Sequence, residues 1–190
     1  MLKSCTEPFF GLLSSIVLRF EVSMRLASYL AKLCWDTLRL TDLVHLQTQS
    51  LKLASVLYSQ YDINDGVDAF ASKVWNICCI SRKRTSSLRG AVLESMNVVV
   101  THRAHRFSNQ SLQTLNPYLI TCIEVALSRE PPDAFVLTVV SSIRTFLLAF
   151  PQFDERSTMY MKSILLLDKY ALSENRALKQ AVIRLKEDFM

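Results

Sequence analysis

The chain has 190 residues, half of them hydrophobic and 21 % charged, with a formal net charge of +5. That balance excludes wholesale disorder and supports a sizeable core. With 3 Gly and 5 Pro, Gly-rich phosphate loops are excluded and few residues remain for the positive-φ positions of tight hairpins. An all-α fold is expected.

The first helical stretch is predicted from about Pro8 to Leu40, long enough to require a bend. Within it Phe9, Phe10, Leu12, Leu13, Ile16, Val17, Leu18 and Phe20 leave almost no polar side. A helix apolar all round is a buried helix, so this segment is expected to pack on a protein partner or a second copy, with Phe9, Phe10, Leu13, Ile16, Val17 and Phe20 as its interface. The run Phe9 to Leu18 spans only ten residues, against the roughly 20 that cross a bilayer. Glu7 and Pro8 in front of it do not suit a signal peptide. No membrane insertion is expected.

Thr41-Asp42 is predicted to cap a second helix that runs to about Tyr61. Asn64-Asp65-Gly66 reads as a turn, followed by a third helix to about Ile80. Ser81 to Thr85 is a basic connector, and Ser86 or Ser87 caps a helix to about Phe107. Asn116-Pro117 carries the pattern of a helix start, Asn as N-cap and Pro in the first turn. Pro131-Pro132-Asp133 ends that helix and starts another, which stops near Phe150-Pro151. Asp154 starts the next, Leu172-Ser173 breaks it, and Ser173 begins the last. Apolar steps of three and four residues, such as Leu119, Cys122, Ala126 and Leu178, Ala181, Val182, Leu185, fit helices rather than strands.

Starts near Ser86, Asn116, Pro132, Asp154 and Ser173 recur about every 20 residues, so two helices make a unit of roughly 40. In that spacing the chain resembles HEAT/armadillo-type α-solenoids. The resemblance implies about eight antiparallel helices stacked as a helical array. A single α-helical domain over residues 1–190 is expected, and its uncapped apolar first stretch suits the C-terminal part or a short isoform of a longer solenoid, or a dimer contact. The implied role is a non-enzymatic scaffold or adaptor that holds a protein partner, inside the cell, in the nucleus or cytoplasm. Long helical scaffolds of replication and repair contain parts of this kind, which makes a nuclear genome-maintenance complex one expected setting. The last helix, rich in charge from Glu174 to Asp188, reads as a terminal cap with one polar face.

Between Lys73 and Arg106 lie Lys73, Arg82, Lys83, Arg84, Arg89, Arg103 and Arg106 against Glu94 alone, a window charge of +6. These cations are candidates for a phosphate or acidic-peptide contact, and a nucleic-acid-binding array is the alternative to the scaffold. No aromatic ladder accompanies them, so a single-strand stacking platform is not expected. Arg84-Thr85 precede Ser86 and Ser87, which are candidate phosphorylation sites as well as caps. The cysteines, Cys5, Cys34, Cys78, Cys79 and Cys122, are odd in number and sit mostly in apolar segments, which suggests reduced buried thiols. Cys78-Cys79 with His102 and His105 lacks the C-x₂₋₄-C spacing of a zinc site, and His45 stands without a pairing Cys or acid. No nucleophile elbow, metalloprotease or P-loop pattern is present. Neither a catalytic site, nor a metal, nor a cofactor is expected.

Overall fold

The computed structural model describes the backbone of residues 3–40, 43–80, 86–150 and 158–189, and the side chains of 8–40, 43–76, 87–150 and 158–188. The described residues hold nine α-helices, one 3₁₀ turn and no strand. The fold is all-α, with helices packed on one another. The chain divides into two compact units, Met1–Ser111 and Leu112–Met190.

The first unit contains α1 (Lys3–Arg19), α2 (Met24–Leu40), α3 (Val44–Gln60), α4 (Gly66–Ile80) and α5 (Ser86–Arg103), with a 3₁₀ turn at Ala104–Arg106. The expected bend in the first stretch is a full break between Arg19 and Met24. Ser23 Oγ accepts from the Leu26 amide there, at 3.3 Å, as an N-cap. The organising helix is α3, which packs against α1, α2 and α5. Its Leu51, Leu53, Ala54 and Leu57 are all fully buried, and with Gln47, Ser55, Tyr58 and Ser59 the buried positions spread over about 240° of its circumference rather than one narrow face. A helix enclosed on several sides needs that distribution. The residue capping α3 is Leu43, with no side-chain cap bond; the predicted cap, Thr41-Asp42, lies outside the described residues. The predicted turn at Asn64-Asp65 is present, and Gly66 takes the positive φ of 70° for which glycine is suited.

The second unit contains most of α6 (Asn109–Leu127), then α7 (Ala134–Ala149), α8 (Thr158–Tyr170) and α9 (Arg176–Phe189). The helix start expected at Asn116-Pro117 is not there: both residues lie inside α6. The cap is Ser108, whose Oγ accepts from the Ser111 amide at 3.2 Å. Pro117 removes one hydrogen bond, to the carbonyl of Gln113 four residues back. Gln113 is exposed, so water can serve that carbonyl, and Leu115, Leu119, Cys122 and Ile123 keep the helix buried on its other side. Asp133 caps α7, its carboxylate accepting from the Val136 amide at 3.2 Å. Asn175, one residue before α9, caps it by accepting from the Leu178 amide at 3.1 Å. The predicted start at Asp154 falls outside the described residues. The Tyr170 hydroxyl lies 2.9 Å from the Ala126 carbonyl and 2.7 Å from that of Arg129, and Lys169 donates to the Leu127 carbonyl at 2.7 Å. Ser128 and Arg129 already pair the Glu124, Val125 and Ala126 carbonyls at the end of α6; α8 supplies the partner of Leu127 and a further one for Ala126.

Candidate functional site

Two features of the first unit stand apart from ordinary core and surface. One is the outer face of α1. Phe10 and Val17 are buried, at 4 % and 2 % exposure, and α1 packs on α3. Phe9, Leu12, Ile16 and Phe20 are 48, 60, 37 and 65 % exposed, and Leu13 is half-buried. At 100° per residue those four fall within about 80° of one another, a single stripe beside the buried one. The Phe20 amide still donates to the Ile16 carbonyl at 2.9 Å, which keeps Phe20 in line with the stripe. With aromatic side chains offering 150–250 Å² each, the four leave about 400 Å² of apolar surface in contact with water. A contiguous patch of that size on a monomer is often functional. The six residues expected at an interface thus divide: Phe10 and Val17 hold α1 to its own unit, Leu13 is half-buried, and Phe9, Ile16 and Phe20 face outward.

The other feature is a polar cleft of about 220 Å³ at the end of α3, beneath the Asn64-Asp65 turn. Tyr58, Tyr61, Asp62, Asp65, Arg103 and Arg106 are among its walls. An aromatic cluster supports it: Trp35, Tyr58 and Phe70 lie with ring centres 5.1 to 6.1 Å apart. Trp35 Nε1 donates to the Tyr58 hydroxyl at 3.1 Å, which donates to Asp65 Oδ1 at 2.6 Å. Lys73 pairs with the other Asp65 oxygen and sits 5.2 Å over the Trp35 ring. Burial, and then the Asp65 acceptor, push the Tyr58 phenol well above its usual range, so its proton stays in place. On the opposite wall Arg103 Nε donates to the Ser59 carbonyl at 2.9 Å. Its guanidinium also meets Asp62 at 3.1 Å, and Arg106 meets the same carboxylate at 3.6 Å. Burial raises the Asp68 carboxyl, but hydrogen bonds from Ser111 and Ser108 outweigh it and hold the group below its usual range.

The basic window therefore looks different in three dimensions. Lys73, Arg103 and Arg106 are each paired with an aspartate, Asp65 or Asp62, that lies just ahead of the start of the window at Lys73. Including Asp62, Asp65 and Asp68 reduces the window charge from +6 to +3. Arg89 is half-buried and engaged. Arg82, Lys83 and Arg84 lie outside the described residues, as do the side chains of Ser86, Cys78 and Cys79. Ser87 is exposed in the first turn of α5.

Among the described residues no group of three or more His, Cys, Asp or Glu side chains is arranged to hold a metal. Burial pushes the Cys34 thiol up to about 12, which leaves it protonated and a poor nucleophile; Cys122 is likewise buried and unbridged. No described helix is long and apolar enough to cross a membrane. The cleft was missed in the sequence because its parts come from residues 58–68 and 103–106. The available signal was the Asp-x-x-Asp-x-x-Asp spacing immediately ahead of the cations. Compared with models of known families, with curated proteins and with solved structures, the chain matches none.

Proposed function

We propose that the protein is a non-enzymatic helical adaptor, of the HEAT/armadillo kind, that holds a protein partner on the outer face of α1. The observation that carries this reading is the stripe of Phe9, Leu12, Ile16 and Phe20, which stays in water while its neighbours Phe10 and Val17 are buried. Exposing two phenylalanines and two branched aliphatics costs solubility, and a helix or groove laid across them would recover that burial. The Asp62, Asp65 and Asp68 carboxylates that share the cleft with Arg103 and Arg106 favour a protein partner over nucleic acid, because they offset the attraction of these cations for successive phosphates. A nuclear assembly of genome maintenance is the setting we assign to it.

Photo-crosslinking tests the reading. A photoreactive residue is placed at Leu12, and in a second chain at Lys179 on the exposed side of α9. The adaptor reading predicts a discrete protein adduct in cells from position 12 and none from position 179. Equal, diffuse labelling from both positions would contradict it.

A further inference from the structure

We propose that Arg103 and Arg106 form a receiving site for a single anionic side chain, glutamate or phosphoserine, of a partner peptide, and that Asp62 occupies this site as an internal stand-in. The geometry of the three residues carries the proposal. Arg103 is fixed before any ligand arrives: its Nε is spent on the Ser59 carbonyl at 2.9 Å, and its side chain is only 17 % exposed. Its Nη1 reaches Asp62 at 3.1 Å, and Arg103 and Arg106 both line the cleft. Such anchoring lowers the ordering cost of binding, and a guanidinium pair offers the forked donors that carboxylates and phosphates accept.

Asp62 is held far less firmly. It lies in the non-helical segment after α3, where the capping residue Tyr61 is extended at φ −117° and ψ 147°. Its side chain is 64 % exposed, and it meets the two arginines through single contacts at 3.1 and 3.6 Å. Exposed pairs of this type contribute little to stability, so the carboxylate can be displaced at small cost. The cleft of about 220 Å³ has room for one side chain entering from solvent.

The same walls argue against a polyanion. Asp65 and Asp68 line the cleft beside the arginines, and Asp68 is kept ionised by its hydrogen bonds to Ser111 and Ser108. One anionic group reaches the arginines without meeting them, whereas successive phosphates of a nucleic acid would be repelled. The site is separate from the α1 stripe, and its test uses the free chain, so either reading can fail while the other stands.

The test follows the Nε–H signals of Arg103 and Arg106 by NMR in the full 190-residue chain. The probes are inorganic phosphate, capped Ala-phosphoserine-Ala and Ala-Glu-Ala peptides, and a ten-residue oligothymidylate. Phosphate and both peptides are expected to shift both arginine signals. Asp62→Asn is expected to tighten each of them about two- to fivefold, because an occupied site lowers apparent affinity in proportion to its free fraction and an exposed pair holds it by no more than about 1 kcal/mol. Adding Arg106→Gln should remove that gain. Asp62 and Arg106 are both more than half exposed, so the variants should keep the fold, and Asp62→Ala repeats the measurement with a different side chain. If Asp62→Asn and Asp62→Ala bind phosphate no tighter than the parent, or if the gain survives Arg106→Gln, the stand-in is refuted. Oligothymidylate binding more tightly than either peptide would also overturn the proposal and assign the pair to nucleic acid.

Discussion

The first and last helices solve the same problem in opposite ways. Helix α9 turns Leu178, Val182 and Leu185 inward, each at 1 % exposure, and shows Lys179, Gln180, Arg184 and Glu187 to water. Its pairs reach back to the unit: Lys186 meets Asp168 at 2.8 Å, and Asp188 meets Arg144 at 2.6 Å. Helix α1 is likewise seated by a narrow inner stripe, Phe10 and Val17, yet its outer face repeats apolar residues where α9 has charges. Attachment to the core does not separate the two helices. What separates them is the chemistry of the face left over, charged on α9 and apolar on α1.

The largest expected effects sharpen the inner halves of that comparison. Phe10→Ala should cost about 3–5 kcal/mol and Leu178→Ala about 2–5 kcal/mol in urea unfolding, the range for a buried large side chain. Phe9→Ala, one residue away, should cost under about 1 kcal/mol, because its side chain is half in water already. Equal losses at Phe9 and Phe10 would mean that the outer stripe is covered.

A smaller effect concerns the support of the cleft. Tyr58→Phe keeps the ring packing but leaves the Trp35 indole N–H and Asp65 without their shared partner, and should cost about 1–3 kcal/mol. Caps come next: Asn175→Ala should cost about 1 kcal/mol by freeing the Leu178 amide. The alkaline limb of stability provides a further check. Cys34 has its folded pKa raised from 9.0 to about 12 by burial, so its contribution is intact below pH 9 and is lost as pH rises from there toward 12. Denaturant unfolding in that window should fall more steeply for the parent chain than for Cys34→Ala. Identical slopes would mean that the thiol is not desolvated.

Much of the fold was legible because helix punctuation is local. Asn64-Asp65-Gly66, Pro131-Pro132-Asp133 and the break at Leu172-Ser173 act through their own backbone and sit where the sequence puts them. Asn116-Pro117 misled because the same pair can start a helix or be carried inside one. Long-range burial of Leu119, Cys122 and Ile123 decided between these, and no local rule contains that term. The apolar character of α1 was plain, but which of its residues face inward depends on where α3 lies. The ion pairs of Lys73, Arg103 and Arg106 were not legible in the sequence for a similar reason. Asp62 and Asp65 lie outside the basic window in sequence, and the turn at Gly66 returns the chain so that α4 and α5 present their cations to them.

The most direct test of the α1 face is size-exclusion chromatography with light scattering on the parent chain and on Phe9→Gln/Leu12→Gln/Ile16→Gln. A partner-binding stripe predicts that the parent alone self-associates or aggregates as concentration rises, and that the triple variant is a stable monomer with an unchanged helical spectrum. A parent chain that stays monomeric at every concentration, indistinguishable from the variant, would contradict the account.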